Sequence, residues 1–82
     1  MITAKEIEQA VPEVRVCNID ERSTKSIMLP RVTIDFIYCE RLKTLHIYLD
    51  VNKVDDKDYI LDKVAESIRN YIVWFDKNLI YR

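Results

Sequence analysis

Apolar and polar residues alternate most regularly between Val32 and Val51, and this stretch predicts a β-hairpin. Val32, Ile34, Phe36 and Tyr38 interleave with Thr33, Asp35, Ile37 and Cys39, and the rhythm resumes as Leu45, Ile47, Leu49 and Val51. Taking Glu40-Arg41-Leu42-Lys43 as a four-residue loop puts Cys39 opposite Thr44. Tyr38 then faces Leu45, Phe36 faces Ile47, Ile34 faces Leu49 and Val32 faces Val51, all on one side of the sheet. The other side reads Thr33, Asp35, Ile37, Cys39, Thr44, His46, Tyr48 and Asp50, polar enough to meet water.

Upstream, Thr3 and Glu6 have capping-box spacing, and Ile7, Ala10 and Val11 follow at helical intervals until Pro12, which predicts a short helix over Ala4 to Ala10. Val14 and Val16 alternating with Arg15 and Cys17 predict a first strand from Glu13 to Ile19, and Asp20-Glu21-Arg22-Ser23-Thr24 reads as a polar turn. Ile27-Met28-Leu29 is a possible continuation of the sheet, with Pro30 at a bulge or edge because it has no N–H to donate. Downstream, Asp55, Asp56 and Asp58 suit the start of a helix, both as cap and as charge against the helix dipole. Ile60, Leu61, Val64, Ala65, Ile68, Tyr71, Ile72 and Phe75 recur at three and four, so a helix from about Asp56 to Asp76 covers the sheet. The expected fold is α+β in the order α-β-β-β-α. A three-stranded antiparallel meander carries a long C-terminal and a short N-terminal helix on one face, and residues 1–82 form a single domain.

Composition narrows what such a domain does. There is no glycine, which removes phosphate-cradling loops, dinucleotide fingerprints and nucleophile elbows together. The 13 basic and 14 acidic residues nearly cancel, so a polyanion would need a local basic patch. Two cysteines make no disulfide framework, the N-terminus lacks a signal-peptide pattern and the longest apolar run, Tyr71 to Phe75, is far too short to span a bilayer. A cytoplasmic protein without membrane insertion is the expectation. Ile, Lys, Asn, Tyr, Phe and Met total 31 residues against 11 for Gly, Ala, Arg and Pro, which points to an AT-rich genome such as that of a bacteriophage or a low-GC bacterium.

Candidate chemistry is sparse. His46, the single histidine, shares the outer sheet face with Cys39 and Asp35, but a flat surface offers no pocket, so no catalytic residue is assigned and no enzyme is expected. Cys17, Cys39 and His46 lack metal-ligand spacing, and the aspartates near 55 lack the glycine and glutamate of a calcium loop, so neither metal nor cofactor is expected. The element order resembles that of double-stranded-RNA-binding domains. Where that family has a lysine-rich helix start this chain reads Val54-Asp55-Asp56-Lys57-Asp58, so no function is carried over.

Two surfaces stand out. Tyr71-Ile72-Val73-Trp74-Phe75 is apolar around most of a helix circumference, and with Leu79, Ile80 and Tyr81 beyond it Val73 and Trp74 fall off the stripe that can face the sheet. Tyr71, Val73, Trp74, Leu79 and Tyr81 are therefore the expected protein interface. They suit a small regulatory or inhibitory accessory factor, homodimeric or bound to another protein. The alternative is single-stranded RNA or DNA binding on the outer sheet face, with His46 and Tyr48 stacking bases and Arg31, Arg41 and Lys43 at the rim. Asp35 and Asp50 on that face make nucleic acid the less favoured partner.

Overall fold

A computed structural model describes residues 2–22 and 29–79, with the side chain of residue 79 left out. Helix α1 (Ala4–Ala10) is followed by strands β1 (Arg15–Arg22), β2 (Arg31–Tyr38) and β3 (Arg41–Tyr48), a 3-10 turn at Val51–Lys53, and helix α2 (Lys57–Leu79). The antiparallel sheet has the order β1-β2-β3, so β2 is central and both other strands are edges. This is the α+β arrangement expected from the alternating and helical periods.

α1 starts where the capping box places it. Thr3 Oγ1 accepts the Glu6 N–H and the Glu6 carboxylate accepts the Thr3 N–H. Glu6 also pairs with Lys57 at 3.0 Å, and the Lys57 ammonium, followed by the Thr3 hydrogen bonds, holds the Glu6 carboxyl below its usual range against some desolvation. At the other end of α1, the Arg69 guanidinium donates to the Ala10 carbonyl and lies 3.6 Å from Glu13, so a cation from α2 answers the exposed carbonyl end of α1. These two contacts set α1 alongside α2. Asp56 Oδ1 accepts the Tyr59 N–H at 3.1 Å and caps α2, as the acidic cluster implied.

The core lies between the sheet and the helices. Val32, Ile34 and Phe36 on β2, Ile47 on β3 with Leu49 just beyond it, Ile7 on α1 with Val11 just after it, and Ile60, Val64, Ile68 and Ile72 from α2 are all buried. Burying each large apolar side chain stabilises the fold by about 1.5–3 kcal/mol, which is why the periodic positions dominate the architecture.

Several boundaries and one register differ from expectation. β1 runs through Asp20-Glu21-Arg22, which the polarity of the segment disguised as a turn, because this edge strand keeps only every second or third residue inward. α2 extends past Asp76 to Leu79, and Val51 belongs to the 3-10 turn rather than to β3. Of the expected continuation Ile27-Met28-Leu29, the first two residues lie outside the described residues, and Leu29 is an exposed bend ahead of β2 rather than strand. Pro30 precedes β2 and its carbonyl accepts the Leu49 N–H at 2.9 Å.

The β2–β3 register is the main correction. Tyr38 pairs with Arg41, Phe36 with Lys43, Ile34 with Leu45 and Val32 with Ile47. The connection is therefore the two residues Cys39 and Glu40, both with positive φ (51° and 63°), as a type I′ hairpin turn demands. Each non-glycine residue in this left-handed region costs about 1–2 kcal/mol, and a chain without glycine offers no signal that such a turn is used. Relative to the four-residue loop, Phe36 moves from Ile47 to Lys43, an even displacement that leaves every inward residue facing inward.

Candidate interaction surface at the end of the long helix

The last turns of α2 carry a graded aromatic column. Phe36, fully buried on β2, meets Tyr71 edge-on with ring centroids 5.5 Å apart, and Tyr71 stacks against Trp74 at 6.0 Å and 30°. Tyr71 also touches Phe75, which Tyr38 meets edge-on at 5.4 Å. The column thus runs from the core outward, and its outermost member, Trp74, is 56% exposed beside Val73 at 54%. The helical period explains the split: Ile68, Ile72 and Phe75 follow the buried stripe, whereas Val73 and Trp74 are rotated off it.

The hairpin end frames this surface with charge. Lys43 Nζ lies 5.4 Å from the Tyr71 ring centroid and the Arg41 guanidinium 5.9 Å from that of Phe75. The Tyr38 hydroxyl donates to Asp76 Oδ1 at 2.9 Å and fastens the end of β2 to α2. The carboxylate acceptor, assisted by desolvation, pushes the Tyr38 phenol well above the usual tyrosine range.

Of the expected interface residues, Tyr71, Val73 and Trp74 come together here, with Tyr71 half-buried as the support of Trp74. The side chain of Leu79 and the whole of Tyr81 lie outside the described residues. Sequence reasoning missed Tyr38, Arg41 and Lys43 as the other half of the surface, and Phe36 as the buried anchor beneath Tyr71. The signal was present, because extending the alternation of Leu45 and Ile47 back through Lys43 and Arg41 assigns both to the helix-covered side.

That assignment corrects the nucleic-acid alternative. Arg41 and Lys43 do not rim the outer sheet face but turn to the aromatic rings of α2, and Arg31, His46 and Tyr48 alone share the outer side. Arg31 stands opposite Tyr48, which is 60% exposed, and His46 stands opposite Thr33 with Nδ1 and Oγ1 3.1 Å apart. Asp35 on the same face accepts the Thr44 hydroxyl at 2.6 Å. The register also separates Cys39 from His46. The cysteine sits in the turn before Arg41, and five residues of extended strand carry His46 about 17 Å beyond Arg41, so no Cys-His-carboxylate group assembles.

Away from these surfaces, a shallow cleft lies near the start of α2 among Ile2, Glu21, Val54, Lys57 and Ile60. Among the described residues, no helix is long and apolar enough to cross a membrane. No protein-family model, curated protein or solved structure matches the chain.

Proposed function

We propose that the chain is a non-enzymatic protein-binding module, a small regulatory or accessory factor that engages another protein through the end of α2. The observation that carries this reading is Trp74: a large apolar ring more than half exposed, yet stacked on Tyr71, which is itself anchored to buried Phe36. An aromatic side chain already ordered before binding contributes contact area with little further loss of conformational entropy, and tryptophan is among the residue types that dominate interface energetics. Val73 adjoins it, and Arg41 and Lys43 add cationic groups at the border, which favours a partner with an apolar socket and acidic rim.

Recovery of partners from the native host with the wild-type chain and with Trp74→Ala, followed by affinity measurement on whatever protein is enriched, tests the proposal. The expected result is a loss of about 2 kcal/mol or more in binding with little change in melting temperature. A Trp74→Ala variant that unfolds, or that binds the enriched protein as tightly as wild type, would overturn it.

A further inference from the structure

The two edges of the sheet are unequal. On β1 the pairing slips between Val16 and Asn18, and the Val16 N–H is taken by the Glu8 carboxylate at 2.9 Å. Bulges and covering groups of this kind are how sheets block an edge against further strands. Among the described residues β3 carries neither a bulge nor a covering group: its eight residues pair with β2 without a slip from Arg41 to Tyr48, and its inward charges, Arg41 and Lys43, are turned onto the rings of α2.

The outward-pointing groups of β3 follow from one hydrogen bond. Leu49 donates to Pro30, its opposite neighbour in the continued register, so Leu49 belongs to the class of residues bonded to β2. Antiparallel pairs alternate, so Ile47, Leu45, Lys43 and Arg41 are bonded likewise. Leu42, Thr44, His46 and Tyr48 then aim their N–H and C=O groups off the edge. Among the described residues no hydrogen bond reaches them. Two of their side chains are large and exposed, Leu42 at 67% and Tyr48 at 60%.

We infer that β3 pairs with β3 of a second copy, antiparallel about a two-fold axis at Leu45, joining the two sheets into one. The choice of a second copy rests on self-complementarity. With Leu45 opposite Leu45 of the second copy, Leu42 meets Tyr48 and Thr44 meets His46, and the same two pairs recur across the axis. All four outward-facing residues of each copy then exchange both main-chain bonds. Centring on Thr44 leaves Tyr48 unpaired, and centring on His46 leaves Leu42 unpaired and sets histidine against histidine. The Leu45 register opposes no like charges, because Lys43 faces Ile47 and Arg41 faces Leu49. It also repeats across the joint the threonine–histidine pairing that Thr33 and His46 already make within the sheet.

Amide hydrogen exchange on the full chain over a dilution series, with the mass in solution measured alongside, tests this pairing. A dimer is expected, with the Leu42, Thr44, His46 and Tyr48 amides protected when concentrated and losing protection on dilution as the dimer dissociates. His46→Pro, which deletes one outward donor without touching the β2 ladder, should shift the protein to monomer, and His46→Val should not. A monomer at every concentration, or a dimer in which those four amides exchange as rapidly as solvent-exposed ones, would overturn the inference, and the wild-type exchange pattern decides even if the proline variant fails to fold. The inference is independent of the Trp74 proposal. A dimer lost in Trp74→Ala but retained in His46→Pro would assign self-association to the helix end and refute the β3 pairing alone.

Discussion

Tyr38 and Asp76, far apart in the chain, are joined by a 2.9 Å hydrogen bond that ties the end of β2 to the last turns of α2. The contact orients the helix segment that bears Trp74, because Asp76 and Trp74 lie within one turn of each other. Tyr38→Phe keeps the edge contact with Phe75 and removes only the hydroxyl. Faster amide exchange over residues 74–79 is expected, and unchanged protection there would show that the aromatic packing suffices by itself.

The same pair sets a pH dependence. Tyr38 has a folded-state pKa raised above its ordinary 10.0, so its contribution to stability is complete below pH 10 and is lost as pH rises through the folded value. An ultraviolet titration of the native protein should show a phenolate increment above the ordinary tyrosine range that is missing in Tyr38→Phe.

Glu6 behaves in the opposite sense. Its pKa lies below the ordinary 4.5 through Lys57 and Thr3, so the stability it contributes is present above pH 4.5 and is lost as pH falls through the lowered value. Glu6→Gln should melt earlier than wild type at neutral pH, and the gap should close in acid. A gap independent of pH would mean that the capping geometry, rather than the charge, carries the effect.

Phe36 is fully buried beneath Tyr71 and opposite Lys43. Phe36→Ala should destabilise the domain by about 3–5 kcal/mol through the cavity it leaves. Denaturant titration measures that loss. Nuclear Overhauser contacts that join the Phe36 backbone to Lys43 rather than to Ile47 check the register at the same time.

The Cys39-Glu40 turn is a site for stabilisation. Both residues have positive φ, and asparagine followed by glycine suits that geometry far better. Cys39→Asn with Glu40→Gly should raise stability by about 1–2 kcal/mol or more by relieving left-handed strain. A lower melting temperature would indicate that the Cys39 or Glu40 side chain makes a compensating contact.

The sequence by itself determined the order of the elements and the faces of β2, β3 and α2, while the polar end of β1, Asp20-Glu21-Arg22, was hidden by its exposure at the sheet edge. Alternation at period two and recurrence at three and four are local properties, and burial rewards them wherever the elements finally meet, so Val32, Ile34, Phe36, Val64, Ile68 and Ile72 could be assigned to the core from spacing alone. Trp74 could be assigned to the surface for the same reason. Tertiary structure decided the rest, because register is set by a turn whose left-handed residues, Cys39 and Glu40, carry no compositional signal. The even displacement kept the layers while exchanging partners: it placed Lys43 and Arg41 beside Tyr71 and Phe75, carried His46 away from Cys39, and left the outward main-chain groups of Leu42, Thr44, His46 and Tyr48 along an edge that no bulge interrupts. Along an unbulged strand such as β2 or β3 a face depends only on whether a residue number is odd or even, whereas a site depends on which residue stands opposite which, and that is settled only when the turn closes.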